Sequence, residues 1–247
     1  MGSQFWLWLD TIVMVIGGGA ILMIGKRRTA KEEGHTIFHG IVPIIAACSY
    51  FAMAVGQGSL YLPLGTAAGT GRLFYFARYI DWSFTTPLLL LTLAMTAQHS
   101  VVRRPSAVAG LMLADLMMIL TALFFGLSTV DWIKWTWFSI SCVAFLAVYY
   151  VIWVTLKQES VLEREDVQQA FRRNAMILSV VWLIYPIILF FSTDGLGVFD
   201  SATSVACIAI LDLIAKVVYG LMTVTTHSKI VDRDLAEHSS PGLRRAA

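Results

Sequence analysis

"RYIDWSFTTPLLLLT", from Arg78 to Thr92, sets an arginine and an aspartate into what otherwise reads as the middle of a lipid-spanning helix. A hydrocarbon core of roughly 30 Å takes about 20 apolar residues of α-helix. A charge at its centre costs about 2.5–3.5 kcal/mol on insertion scales, so such residues face a bundle interior and find partners there. The rest of the chain supplies the bundle: 57% of its 247 residues are hydrophobic and 14% are charged. With a mean hydropathy of +0.72, this excludes an ordinary soluble domain. Seven segments are apolar enough to span, at about 4–25, 34–57, 72–97, 105–126, 131–156, 170–191 and 200–227. The expected fold is therefore all-α, a seven-transmembrane-helix bundle over residues 1–229. A polar tail over 230–247, expected to be disordered, would follow it.

The basic residues orient the bundle. Lys26, Arg27, Arg28 and Lys31 follow the first segment, Arg103 and Arg104 the third, and Lys157, Arg164, Arg172 and Arg173 the fifth; Lys229, Arg233, Arg244 and Arg245 lie beyond the seventh. The alternate connections carry only Arg72 and Lys134, so the positive-inside rule puts the N-terminus outside and the C-terminus in the cytoplasm. The longest outer loop is then "GQGSLYLPLGTAAGTG", residues 56–71. A net charge of +2 without a basic patch gives no ground for a nucleic-acid partner. Cys48, Cys142 and Cys207 lie inside apolar runs without metal-ligand spacing and read as packing residues rather than a disulfide framework. The first apolar run has no basic region before it and no cleavage site after it, so it reads as the first helix rather than a signal peptide.

Two basic residues remain within the spans, Arg78 and Lys216, accompanied by Asp81, Asp115 and Asp212. Asp212 and Lys216 are four residues apart and share one helix face; Arg78, Asp81 and Thr85 share a stripe of the third helix. The two stripes can converge on one buried site. A structural ion-pair cluster would account for the charges alone. A lysine shielded from water is also a competent amine for a Schiff base with a carbonyl, and two carboxylates would balance a cation held there. Trp82, Trp137, Trp182 and Tyr185 supply aromatic walls for a flat conjugated ligand near that level.

"RYIDWSFTTP" (78–87), "WLIYP" (182–186) and "LDLIAKVVYG" (211–220) resemble the signatures of the third, sixth and seventh helices of microbial rhodopsins, and the likeness covers nearly the whole chain. The resemblance implies a retinal chromophore, all-trans, held as a protonated Schiff base on Lys216. It implies Asp81 as primary counterion and proton acceptor, Asp212 as second counterion, and Arg78 on the outward path. It also implies a retinal wall of Trp82, Thr86, Leu89, Met118, Trp137, Ser141, Trp182 and Tyr185, with Tyr50 and Tyr185 hydrogen-bonding Asp212 and Asp115 bonding Thr86. Homo-oligomeric rings of three or five are expected on the same ground. Phe138 stands where a glycine would open a slot for a carotenoid antenna, so none is expected.

Within that family the third helix largely decides the ion. Asp81 argues against a chloride pump, and the Asp81, Thr85, Thr92 stripe lacks the asparagine and glutamine of sodium pumps. Asp212 occupies a position where inward proton pumps carry proline. Efficient outward proton pumps usually place a carboxylic donor eleven residues after the acceptor, about 16 Å toward the cytoplasm; here that residue is Thr92. Threonine is no proton reservoir. His39, at similar depth on the second helix, can titrate near neutrality and is the candidate relay, the alternative being an interfacial histidine bound to water. His35 is expected nearer the surface and solvated. On the release side Asp194 and Ser204 replace a glutamate pair, with Asp194 either a participant or a solvated loop acid. The leading expectation is a light-driven outward proton pump, an ion transporter and not an enzyme, in the cell membrane. The alternative is a sensory photoreceptor signalling through a partner protein, and a third class is a seven-helix structural or receptor protein without retinal.

Overall fold

The computed structural model describes residues 2–63, 71–100 and 105–239, and among these it contains seven helices long and apolar enough to cross a membrane. They are α1 (Ser3–Ile24), α2 (Ala30–Ala54), α3 (Ala77–Ala97), α4 (Pro105–Leu127), α5 (Asp131–Ser160), α6 (Glu165–Phe191) and α7 (Ser201–Glu237). Local chemistry sets two of the starts. Thr29 caps α2 by accepting from the Glu32 amide at 3.2 Å. Asp200 caps α7 by accepting from the Thr203 amide at 2.7 Å, a bond that holds its carboxyl below the usual range.

The third helix begins at Ala77 rather than 72, because Gly71–Phe74 (β2) pairs antiparallel with Leu60–Pro63 (β1). The outer loop is thus partly a hairpin, in which Arg72 and Phe74 are buried while Leu73 between them is exposed. Residues 64–70 of that loop, like Arg103 and Arg104, lie outside the described residues.

The tail expectation requires correction. The spanning helix α7 runs to Glu237 and its helical backbone goes on to Ser239, ten residues past the expected end of the bundle at 229. Ion pairs hold this extension in place. Arg28 bonds Glu32 and Asp232, and Arg164 reaches Asp166 at 2.6 Å and Asp234 at 3.0 Å, pairings that push both guanidinium groups further up. Residues 240–247, with Arg244 and Arg245, lie outside the described residues.

Small residues bring α1, α2 and α7 close. A Cβ on Gly17 would lie 2.6 Å from Val217, and one on Gly40 would lie 2.4 Å from Leu22. Two stretches widen from α to π geometry, Val151–Leu156 in α5 and Leu213–Val218 in α7. The second carries Lys216, and π turns of this kind recur at functional sites. The bundle has a hairpin end, where β1 and β2 lie, and a basic end, where α1 and α3 finish.

Candidate functional site

The third and seventh helices meet at three buried charges: Lys216, Asp81 and Asp212 are each at most 2% exposed. Lys216 Nζ donates to Asp81 Oδ2 and lies 3.3 Å from Asp212 Oδ2. Asp81 is in the first turns of α3, and Asp212 lies four residues before the lysine, so both carboxylates are on its hairpin side.

The two carboxylates are held differently. Asp212 accepts from Tyr50 Oη of α2 at 2.8 Å, Tyr185 Oη of α6 at 2.6 Å and Trp82 Nε1 at 3.3 Å. Its oxygens are therefore filled from three helices, by charge-assisted hydrogen bonds of the strong kind. Asp81 Oδ1, by contrast, has no hydrogen-bond partner among the described residues. Thr85 donates to the Asp81 carbonyl at 2.9 Å, one turn back. Arg78 is buried one turn nearer the hairpin, with its guanidinium 5.3 Å from the Tyr75 ring.

Lys216 opens onto an apolar pocket with about 740 Å³ of empty space, counting its mouth. Seven of the eight residues expected in its wall line it: Trp82, Thr86, Leu89, Met118, Ser141, Trp182 and Tyr185. The eighth does not. Trp137 turns toward Phe124, with ring centroids 5.0 Å apart, and its neighbour Phe138 takes the wall position instead. Consecutive residues on a helix point about 100° apart, and an aromatic pair leaves that choice to tertiary packing. Thr86 donates to Asp115 Oδ2 at 2.7 Å, and Ser141 to the Met118 carbonyl at 2.8 Å, so both wall hydroxyls are paired, while Asp115 Oδ1 has no hydrogen-bond partner among the described residues.

The remaining candidates lie apart from this centre. Thr92 is buried and donates to the Leu89 carbonyl at 2.8 Å. His39 is fully buried, and neither of its ring nitrogens has a hydrogen-bond partner among the described residues, so it does not bond Thr92 directly. His35 is likewise buried, at 1% exposure, rather than solvated. Nor is Asp194 a solvated loop acid. It is buried and paired with Arg72, which also donates to the Gly126 carbonyl at 2.5 Å. Burial lifts the Asp194 carboxyl above its ordinary range against the pull of Arg72, Arg78 and Lys134.

Asp10 was not among the candidates. It is fully buried on α1, electrostatically coupled to Asp212 and Lys216. The available signal was a carboxylate inside "WLWLDTIVMVI" (6–16), the same anomaly that marks Asp81.

Residues 1–230 match the family described as bacteriorhodopsin-like protein. Archaerhodopsin-2 of Halobacterium sp. (strain aus-2) is 33% identical over 246 residues, covering 99% of this chain and 93% of its own. Among solved structures, the thermophilic rhodopsin from Rubrobacter xylanophilus is 34% identical with a TM-score of 0.83, over 91% of this chain and 95% of that one. A light-driven proton pump from Leptosphaeria maculans is 27% identical with a TM-score of 0.85, over 92% and 96%.

Proposed function

From the premise that this chain belongs to the bacteriorhodopsin-like family, we propose that it is a light-driven outward proton pump with its hairpin end outside. It is an integral membrane protein, and the family implies a retinal chromophore on a lysine. The residues fit that group. Lys216 is the lysine that opens onto an apolar, aromatic-walled pocket, and Trp82, Trp182 and Tyr185 stand in its wall. All-trans retinal attached there would supply light absorption and a change of shape that redirects the proton on the lysine nitrogen.

The observation that carries the reading is the asymmetry of the two carboxylates. Asp212, filled by three donors, serves as the second counterion. Asp81 has an oxygen without a partner among the described residues and is the place for the proton from Lys216 Nζ. Because Asp81 lies toward the hairpin end, that transfer is directed there, and Arg78 stands next on the same side. The basic loops at the opposite end support a cytoplasmic side there by the positive-inside rule. Reprotonation has no carboxylic donor at Thr92, and His39 supplies the titratable group instead. Phe138 in the pocket wall supports the expectation of no carotenoid antenna, and assembly as a ring of three or five copies completes the proposal.

Thr92 also favours a second reading, a sensory photoreceptor, because slow recovery prolongs a signalling state. Light-induced pH change in suspensions of cells making the protein with added all-trans retinal separates the two. Protonophore-sensitive acidification that disappears in Asp81→Asn is the expected result; a coloured, photocycling pigment that moves no protons would put the photoreceptor first.

A further inference from the structure

Four of the chain's five histidines, scattered from position 35 to 227, form one buried file at the basic end. His39 is deepest, edge-on to Tyr219 with ring centroids 5.6 Å apart, and Tyr219 is three residues past Lys216. One turn back on α2, the His35 ring lies 6.2 Å from His39 and nearly parallel to it. His35 stacks on His227 of α7 at 3.9 Å. His227 in turn meets His99, just past the end of α3, at 5.5 Å. His99 Nε2 is 2.9 Å from Asp234 Oδ2, whose side chain is 30% exposed.

Packing alone does not explain this choice of residue. Both nitrogens of His39, Nδ1 of His99 and Nε2 of His227 lack hydrogen-bond partners among the described residues, and each buried polar atom left so is destabilising. Phenylalanine would fill the space without that penalty. The file is also set among charges. Glu32 accepts from Ser228 Oγ at 2.6 Å and pairs with Arg28, Lys31 Nζ donates to the His99 carbonyl, and Arg164 holds Asp234. His99, Glu32, Asp234 and Lys31 all act electrostatically on His227, which in turn acts on His39.

We propose that Asp234, His99, His227 and His35 form the entrance half of the proton-uptake path, handing protons to His39. This rests on the pump reading and on His39 as the last imidazole before Lys216. An imidazole takes a proton at one nitrogen and gives one from the other. One proton therefore enters at Asp234 and one leaves toward the Lys216 nitrogen, with every ring neutral again and its tautomer reset by ring rotation before the next proton. Ring separations of 3.9 to 6.2 Å are closed by ring rotation or a single bridging water.

The test uses the full chain with retinal, as His227→Gln, His99→Gln and Asp234→Asn. Time-resolved absorption follows the phase in which the lysine nitrogen regains its proton, across roughly pH 5 to 9, with and without azide as a permeant weak acid. His227→Gln is expected to keep the pigment's colour and the transfer to Asp81, but to recover about tenfold or more slowly. Its rate should fall more steeply with rising pH, and azide should restore it. His99→Gln and Asp234→Asn should show the same pattern more weakly. Wild-type recovery with wild-type pH dependence would overturn the proposal, as would slowing that azide does not relieve, which marks a packing role. If His227→Gln forms no pigment, the two marginal variants decide by the same criteria. Failure of the unmodified protein to acidify its medium would strike the pump reading, while its pigment's recovery kinetics would still decide the histidine file.

Discussion

Asp81 and Asp212 are the same residue on the same side of one lysine, and the difference between them is their hydrogen bonding. The Tyr185 hydroxyl, at 2.6 Å, is the shortest of the three donors on Asp212. A bond to a charged group contributes about 1.5–3 kcal/mol. Tyr185→Phe is therefore expected to lower the pigment's resistance to thermal bleaching and to shift its absorption, because the fixed charge beside Lys216 is less well held. An unchanged bleaching rate would mean that Tyr50 and Trp82 suffice. At this scale the sequence was informative, since ionisable residues in apolar runs are conspicuous. It was silent on which oxygen of Asp81 lacks a partner, because that depends on α2 and α6 both reaching Asp212 instead.

At the scale of elements, the π turn Leu213–Val218 sets where Lys216 points. Each residue of a helix turns the next side chain by about 100°, so removing one residue from the widened turn would swing the lysine off the pocket and out of step with Asp212. Deleting Ile214, which is 37% exposed, should abolish pigment formation with retinal, whereas Ile214→Ala should retain it. A coloured deletion variant would show that the widening is dispensable. The spacing of Asp212 and Lys216 suggests a shared face on a regular helix, and no residue type in "LDLIAKVVYG" signals the extra width. The hairpin was hidden for a related reason: strand pairing of 60–63 with 71–74 is a contact between segments, and "GRLF" alone continues smoothly into an apolar helix.

For the whole molecule, the buried Arg72–Asp194 pair ties the hairpin to the connection between α6 and α7, with Gly126 of α4 as a third partner. Removing one partner of a buried pair leaves the other uncompensated, at about 3–5 kcal/mol. Arg72→Gln should lose stability of that order at neutral pH. The sign with pH follows from Asp194. Its folded carboxyl is already raised by burial, and without Arg72 it rises further, so the folded state binds the proton more tightly than the unfolded one. The variant's stability should therefore fall as pH rises from the ordinary aspartate value of about 3.9. Thermal unfolding at both ends of that window measures it. A loss independent of pH would assign the effect to packing around the hairpin instead.

Composition and the length of apolar runs determined by themselves that this chain is a seven-helix membrane bundle, because transfer into hydrocarbon is a sum over residues that needs no knowledge of neighbours. The buried lysine and the aspartates four residues before it and on the third helix were legible on the same ground. Only the tertiary structure decided what each charge meets: three donors on Asp212, an oxygen of Asp81 unpartnered among the described residues, Arg72 on Asp194, Phe138 rather than Trp137 in the pocket wall, and four distant histidines in one file. The reason is physical. The cost of burying a polar group can be read from the group alone, but its compensation comes from atoms on other helices, and only packing brings those within hydrogen-bond reach.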